Sequence, residues 1–195
     1  PKPEIKIDSN TLLFAGTVCE KKGIARLIKA MRKVIKVYPN VQLKIFGRDW
    51  FFKNGNSYIA YLKDELIPSV GNIKDHIEFM GAVNLQELAE QYAAATLCVF
   101  PSLMETQGLV APEAMAMQKL VLFSNVGPGP EIITHKDTGL LCDPYNEDDI
   151  AENILWALNH NKEGNAISEK ARHYVEANFS IDTITDRNVE FYKTI

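Results

Sequence analysis

The sequence predicts an α/β fold in which a doubly wound parallel β-sheet carries helices on both faces. Short, continuously apolar segments alternate with helical patterns about six times, as strands and crossover helices do in a parallel sheet. Glycine or proline follows closely after most of the apolar segments, which is typical of strand ends. The 195 residues, 46% hydrophobic and 24% charged, suit one globular domain that spans residues 1–195.

The first half of the chain supplies four of the predicted strands. Its first helix is indicated by Ile24, Leu27 and Ile28, which recur at the helical period. We expect Pro68 to end the second helix and Asn84 to cap the third. Residues 1–10 are predicted to be a linker and 17–22 a loop. The predicted strands are 11–16, 41–46, 77–80 and 97–100, and the predicted helices are 23–37, 57–67 and 84–95.

The second half continues the alternation and then becomes helical. A helix is expected directly after Gly108, with Pro112 in its first turn, where a missing N–H costs no hydrogen bond. Glu131 is predicted to be a helix-start residue, placed favourably for the helix dipole. Strands are predicted at 120–123 and 138–142, and helices behind the cap at 146–149, at 163–178 and at 180–193.

The loops that follow the strands are the predicted site. In a doubly wound, Rossmann-like sheet the ligand lies at the carboxyl ends of the parallel strands. Those ends lead into 16–22, 47–49, 81–83, 101–108 and 124–131, so the informative loops share one edge. Within 100–117, Gly108 allows a close approach to the backbone, and a helix start offers N–H groups to an anion. Glu105 and Glu113 flank that point and would suit sugar hydroxyls better than phosphate.

Charge and cysteine usage exclude several classes of protein. The formal net charge is −4, which argues against broad nucleic-acid binding. The three cysteines are widely spaced and form no metal-ligand pattern, so we expect reduced thiols and a cytoplasmic protein. The four histidines form no metal or nucleophile pattern either. No apolar run reaches the roughly 18–20 residues that a bilayer span requires.

Several short motifs on the predicted edge resemble one known family in order and spacing. They are Ala15-Gly16-Thr17-Val18 with Lys22-Gly23, Gly81-Ala82-Val83, Pro101-Ser102 with Glu105, Gly108-Leu109, Glu113-Ala114-Met115, and Glu131 with Thr138-Gly139. Together they resemble family 4 glycosyltransferases, and the Glu-x7-Glu pair is the most specific element. The resemblance implies the C-terminal, donor-binding half of a two-domain GT-B enzyme. The N-terminal acceptor domain of that enzyme would lie outside these residues.

The resemblance also implies roles for individual residues. The reaction is a retaining sugar transfer from a nucleotide-diphosphate sugar to a glycan or lipid-linked acceptor, with no metal or other cofactor. Lys22 would neutralise the leaving phosphate and Glu105 would hold the transferred sugar, so both are candidate catalytic residues. Glu113 would accept hydrogen bonds from the ribose diol. Further implied donor contacts are Gly16, Thr17, Gly108, Leu109 and Val110. Ala82 and Val83 would contact the nucleobase.

The sequence departs from the family pattern at Thr17, where an arginine commonly shares the phosphate with the lysine. Arg48, at the end of the second strand on the same edge, is a hypothesis for the missing charge. Thr106-Gln107 and Pro128 are smaller departures that concern sugar recognition. Two residues after Arg48 the aromatic cluster 50–52 (Trp-Phe-Phe) begins. The sequence does not decide whether this cluster lines the nucleobase site, forms an interdomain face or packs as a local core.

Other functions remain as alternatives to the transferase. A nucleotide-binding module without transfer activity gains some weight from Thr17. A GT-B-like nucleotide-sugar epimerase would need carboxylates and a histidine at positions where the sequence has none. A dinucleotide dehydrogenase is disfavoured, because no Gly-x-Gly-x-x-Gly follows the first strand. For the transferase, we expect a parent enzyme that is cytoplasmic and peripheral on the inner face of the membrane.

Overall fold

The computed structural model describes residues 10–194 and confirms the predicted fold class. Six parallel strands form one sheet in the order β3-β2-β1-β4-β5-β6. The linker prediction for 1–10 lies outside the described residues, apart from Asn10, which forms a turn. The strands are β1 (Thr11–Ala15), β2 (Gln42–Phe46), β3 (Ile77–Gly81), β4 (Leu97–Phe100), β5 (Val121–Ser124) and β6 (Leu140–Cys142).

Helices connect successive strands and cover the sheet. α1 runs directly from the left-handed Gly23, and α4 begins behind Asn84, whose side chain accepts the Glu87 N–H at 2.9 Å as predicted. Nine α-helices are found in residues 10–194. They are α1 (Ile24–Val37), α2 (Tyr58–Tyr61), α3 (Ile67–Val70), α4 (Leu85–Ala94), α5 (Val110–Ala116), α6 (Gly129–Ile132), α7 (Glu147–Asn159), α8 (Asn161–Phe179) and α9 (Ile181–Lys193).

The sheet is buried on both faces, which explains why its strands are continuously apolar. Successive residues of β1 alternate between two cores, because strand side chains point to opposite faces. Leu12 and Phe14 pack in a first core, and Leu13 and Ala15 pack in a second. The first core includes buried side chains of α1, α2 and α7, and the second includes those of α4 and α5, while α8 contributes to both. These are called the α1 face and the α5 face below.

The prediction that Pro68 ends a helix is wrong. α2, a π-helical turn at Leu62–Leu66 and α3 follow one another without a break, so helical structure reaches Val70. The π turn changes which carbonyl each N–H meets, and Pro68 then stands in the first turn of α3, where its missing N–H is tolerated.

The prediction of a plain loop at 17–22 is incomplete. Glu20–Lys22 form one 3-10 turn, closed by the N–H of Gly23 on the Glu20 carbonyl at 2.9 Å. A second 3-10 turn, Lys74–His76, precedes β3. Within 10–194, no helix is both long and apolar enough to cross a bilayer.

Candidate active site

The strand order reverses between β1 and β4, and the crevice beyond their carboxyl ends is the expected ligand position. The two loops that leave these strands are bonded to each other. The N–H groups of Leu103 and Met104 donate to the Lys21 carbonyl at 2.8 and 3.2 Å. A Cβ on Gly23 would lie 1.8 Å from the Pro101 carbonyl oxygen, so only glycine allows this approach. The sequence therefore brings the two loops into direct contact.

Lys22 and Glu105 meet at this crevice. The Lys22 ammonium donates a hydrogen bond to Oε2 of Glu105 across 83 residues of chain. The Glu105 side chain is 10% exposed and that of Lys22 is 25% exposed, so the pair is partly shielded from water. The two candidate catalytic residues are thus in contact; the sequence predicted that their loops share one edge of the sheet but did not predict this ion pair.

Glu105 also has neutral partners. Its Oε1 accepts the Thr106 N–H at 3.0 Å, and the buried Ser102 hydroxyl donates to Oε2 at 3.5 Å. Burial raises the pKa of Glu105, but the hydrogen bond and charge of Lys22, with the N–H groups of Thr106 and Gly108, outweigh it. The pKa therefore lies below its ordinary value, and Glu105 is a carboxylate at neutral pH.

Glu113 occupies a different environment on the α5 face. Its Oε2 accepts the hydroxyl of Tyr92 at 3.3 Å, and Tyr92 is 1% exposed in the second core. Burial raises the pKa of Glu113, although the Tyr92 hydrogen bond partly opposes it. Burial, followed by the charge of Glu113, raises the pKa of Tyr92 well above its usual range, so the phenol stays a donor.

Gly108 fixes the path of the chain between the two carboxylates. Its φ is +66°, a left-handed conformation, and an added Cβ would lie 2.6 Å from Cζ of Phe123. The position is therefore closed to other residues without a shift of the core. The N–H of Gly108 is one of the groups that hold Glu105, so the turn and the carboxylate are coupled.

A cleft of about 570 Å³ adjoins the Lys22–Glu105 pair. Thr17 and Arg48 both line it. Arg48, the hypothetical substitute for the arginine that the family commonly has at Thr17, therefore lines the same cleft as Lys22. The remaining lining residues come from the β1 loop, the loop after β2, α2 and the β4 loop. They are Cys19, Glu20, Lys21, Trp50, Phe51, Phe52, Lys53, Tyr58, Met104 and Thr106.

A comparison with protein families decides the class of protein that carries this geometry. Residues 1–174 match the family described as glycosyl transferases group 1. The chain belongs to this family. We therefore interpret Glu105, Glu113 and Lys22 as residues of a member of this family.

Individual relatives agree with the family. An uncharacterized glycosyltransferase of Methanocaldococcus jannaschii is 33% identical over 189 residues, which is 97% of this chain and 46% of the relative. The lipopolysaccharide 1,2-N-acetylglucosaminetransferase of Salmonella typhimurium is 29% identical over 188 residues, 95% of this chain and 49% of the relative. Sucrose-phosphate synthase from Thermosynechococcus elongatus superposes with a TM-score of 0.84 at 29% identity, covering 96% of this chain and 45% of that one. The chain spans about half the length of these relatives.

The other predicted donor contacts follow strands at the same edge of the sheet, but they do not form one cluster. Gly16 and Thr17 follow β1, and the Gly16 N–H donates to the Phe46 carbonyl at 2.9 Å. Leu109 is 57% exposed beside Val110, the first residue of α5. Ala82 and Val83 follow β3, which β2 separates from β1, and Val83 packs toward the second core. Their roles as donor contacts stay predictions.

Two residues that hold the surroundings of the candidate site were missed from sequence. Tyr92 gave no signal beyond its place on the apolar side of a helix, because its partner Glu113 is 21 residues away. Asp49 accepts the N–H groups of Trp50 and Ile59, each at 2.9 Å, and the Ser57 hydroxyl at 2.6 Å. The available sequence signal for Asp49 was its position shortly after the second strand.

Two of the three rings of the aromatic cluster 50–52 do not form a local core, whereas the Phe52 ring packs on Tyr58 and Tyr61. Trp50 and Phe51 are 52% and 58% exposed, and both line the cleft next to Lys22. As for metals, no three side chains among His, Cys, Asp and Glu in residues 10–194 come together as possible ligands. That a donor is bound without metal stays a prediction.

Proposed function

We propose that this chain is the C-terminal, donor-binding half of a retaining family 4 glycosyltransferase. The enzyme transfers a sugar from a nucleotide-diphosphate sugar to a glycan or lipid-linked acceptor. The observation that carries the proposal is the Lys22–Glu105 pair at the reversal of strand order, with a second carboxylate eight residues later. The family match supports the reaction class, and the half-length coverage of relatives supports a second domain.

The two ends of the Lys22–Glu105 pair have separate tasks in the donor complex. The Lys22 ammonium faces the diphosphate, where negative charge grows as the glycosidic bond breaks. Glu105 accepts hydroxyls of the transferred sugar and, already held by the N–H of Thr106, needs little rearrangement. Without donor the two side chains neutralise each other, so donor binding exchanges one ion pair for two new sets of contacts.

Glu113 receives the ribose. A carboxylate has two acceptor oxygens and suits a vicinal diol, and the Tyr92 hydroxyl leaves acceptor capacity free. Burial disfavours the ionised form of Glu113, so two new donors stabilise it more than they would stabilise an exposed carboxylate. The backbone at Gly108, Leu109 and Val110 lies between Glu105 and Glu113 in sequence, where the diphosphate would pass.

The acceptor class rests on a named relative. The Salmonella typhimurium protein is a lipopolysaccharide 1,2-N-acetylglucosaminetransferase by name, and it matches 95% of this chain. A lipid-linked or polysaccharide acceptor places the parent enzyme at the cytoplasmic face of a membrane as a peripheral protein. We infer that these 195 residues bind donor without turnover, because the acceptor domain lies elsewhere. Joining them to such a domain and following the anomeric configuration of the product by NMR tests the retaining outcome.

Calorimetric titration with UDP, GDP and ADP tests donor binding. We expect one of the three nucleotides to bind the wild-type chain, and Glu113→Ala to weaken it by roughly 1.5–3 kcal/mol, the scale of hydrogen bonds to charged groups. Glu163→Ala, an exposed first-turn glutamate on α8 outside the predicted site loops, should keep the wild-type affinity. Failure of all three nucleotides to bind would contradict the proposal, and equal affinity in Glu113→Ala would contradict the ribose assignment.

A nucleotide-binding module without transfer activity is the second candidate, and Thr17 favours it. A hydroxyl cannot replace the charge and planar fork of an arginine beside a diphosphate. In that case the chain would bind nucleotide, and the fused enzyme would transfer no sugar from any donor. Transfer by the fused enzyme would exclude the module.

A further inference from the structure

The segment after β2 carries three exposed aromatic rings, of which Trp50 and Phe51 belong to neither core. Trp50, Phe51 and Phe52 are 52%, 58% and 37% exposed, and all three line the cleft beside Lys22. Three large aromatic rings in a row at the surface are unusual, because aromatic side chains mostly bury their area. Their arrangement along one cleft indicates a binding surface.

This segment, residues 49–57, is tied to the rest of the fold by hydrogen bonds and ring packing. Asp49 accepts three hydrogen bonds at its base, and the Tyr58 N–H donates to the Trp50 carbonyl at 2.8 Å. Phe51 and Ser57 form an antiparallel bridge, so the segment is a short hairpin. The Phe52 ring packs on Tyr58 at a centroid distance of 5.2 Å. A surface that is ordered before binding loses less entropy when a ligand arrives.

The aromatic hairpin contacts a residue of the first core, and the ribose candidate contacts a residue of the second. Tyr58, behind the hairpin, belongs to the first core on the α1 face, whereas Tyr92, behind Glu113, belongs to the second core on the α5 face. Glu105 lines the cleft and lies eight residues before Glu113 in the sequence. If the ribose lies at Glu113 and the transferred sugar at Glu105, the cleft is the space next to that sugar.

The charges around the rings are mainly positive. Apart from the mutually neutralising Lys22 and Glu105, the cleft is lined by Lys21, Arg48 and Lys53 against Glu20. The Arg48 guanidinium lies 5.8 Å from the centroid of the Trp50 ring, which directs it toward the hairpin. This combination suits a ligand with an apolar face and an acidic group.

We propose that the cleft between the aromatic hairpin and the Lys22–Glu105 pair is an acceptor subsite for an acidic saccharide. The C–H faces of a sugar ring pack on Trp50 and Phe51, and a carboxylate or phosphate of the saccharide meets Lys53 and its neighbouring cations. The inference rests on the proposed function, because it places the acceptor beside the donor sugar at Glu105. Under this proposal, the acceptor site is formed by the acceptor domain together with this cleft.

Tryptophan fluorescence tests the subsite, because the chain has two tryptophans. Trp156 lies on α7 and stacks on His160 at 4.7 Å, so a Trp156→Phe chain reports on Trp50 alone. The probes are tetragalacturonate, an acidic tetrasaccharide, and maltotetraose, its uncharged counterpart. We expect tetragalacturonate to change the Trp50 emission saturably and to bind more tightly than maltotetraose.

Variants locate the binding on the hairpin. Phe51→Ala and Lys53→Ala should each weaken tetragalacturonate binding about tenfold, the effect of losing one central contact. Phe191→Ala, which removes a 61% exposed ring on α9, should leave the affinity unchanged. Glu113→Ala should also retain saccharide binding while it weakens nucleotide binding, so the two sites are tested separately.

Three outcomes overturn the subsite. These are no saturable response to tetragalacturonate, equal affinity in Phe51→Ala and wild type, and competition between the saccharide and a nucleoside diphosphate that itself changes the Trp50 emission. The last outcome makes the hairpin a base platform and leaves the donor-binding proposal standing. Saccharide binding in a chain that binds none of UDP, GDP and ADP contradicts the proposed function, and with it the acceptor assignment.

Discussion

Glu105 and Glu113 are the same residue type, eight positions apart, yet their surroundings shift their pKa values in opposite directions. Glu105 loses water by burial but gains Lys22 and two backbone N–H groups, so its pKa falls. Glu113 loses water by burial and gains a single neutral donor, Tyr92, so its pKa rises. One carboxylate is compensated inside the protein, and the other is left with unmet acceptor capacity.

The difference indicates which carboxylate depends on a ligand. Titratable groups whose environments separate their pKa values commonly have distinct roles in one site. Glu105 is a pre-organised part of the crevice whose charge is already balanced. Glu113 has Tyr92 as its side-chain donor among the described residues, and under the proposed function a ribose diol would supply further donors.

Lys22→Ala breaks the comparison most strongly. It removes the cation that compensates Glu105 and leaves a partly buried carboxylate beside the proposed diphosphate position. We expect nucleoside diphosphate affinity to fall by about 2–3 kcal/mol, more than a neutral contact would cost. Calorimetry with the best-binding nucleotide measures the change.

The matched control for this variant is Lys170→Ala. Lys170 also pairs with a carboxylate, Asp137, at 2.8 Å, but both side chains are more than half exposed on the surface. Its loss should change nucleotide affinity by less than about 0.5 kcal/mol. A similar loss of affinity in both variants would show that the position of Lys22 has no special role.

Replacing each glutamate by glutamine sharpens the comparison through pH. The lowered pKa of Glu105 means that its charged form stabilises the fold above the ordinary value of 4.5, and this contribution is lost as pH falls through the folded-state pKa. The raised pKa of Glu113 means that its protonated form is the favourable one, and that contribution is lost as pH rises through the folded-state pKa.

Opposite changes in stability at neutral pH are therefore expected. Glu105→Gln should lower the free energy of unfolding at pH 7, and Glu113→Gln should raise it, each by about 1 kcal/mol or about 2–4 °C in Tm. The Glu113 difference should shrink above pH 4.5, as pH falls through its raised folded-state pKa, and the Glu105 difference should shrink only below pH 4.5, as pH falls through its lowered folded-state pKa. Thermal unfolding of the three proteins between neutral and acidic pH checks the signs, and shifts of equal sign at pH 7 would contradict the comparison.

Arg48→Ala has the smallest expected effect. Arg48 is exposed and lies over Trp50, so its contribution to a phosphate near Lys22 is screened by water. We expect nucleotide affinity to fall by about 0.5–1 kcal/mol in low salt and less in high salt. Unchanged affinity at low salt would exclude Arg48 as the substitute for the arginine that Thr17 replaces.

Local sequence rules predicted most elements but failed where the backbone left standard geometry. Apolar runs marked the strands, and Asn84 and Asn146 marked helix starts that the structure shows capped by those side chains. Pro68 was expected to end a helix, and the π turn before it made the continuation possible. No local pattern announces a π turn, because it depends on how the helix packs against its neighbours.

The candidate site was predicted only in part for a related reason. The carboxyl ends of parallel strands must share an edge, so Lys22, Arg48 and Glu105 could be assigned to it from sequence. Tyr92 could not, because a hydrogen bond between two crossover helices depends on their relative packing. The location of Trp50 in the cleft likewise depends on the hairpin that Asp49 holds.

The sequence by itself determined the alternation of strands and helices, the edge where the loops gather and the residue types available there. These follow from hydrophobic periodicity and from the geometry of a parallel sheet, which are local or topological properties. The tertiary structure decided how each carboxylate is compensated, because charge balance depends on partners distant in sequence. Lys22 reaches Glu105 across 83 residues, and Tyr92 reaches Glu113 from another helix. Folding thereby turned two equivalent glutamates into two different groups.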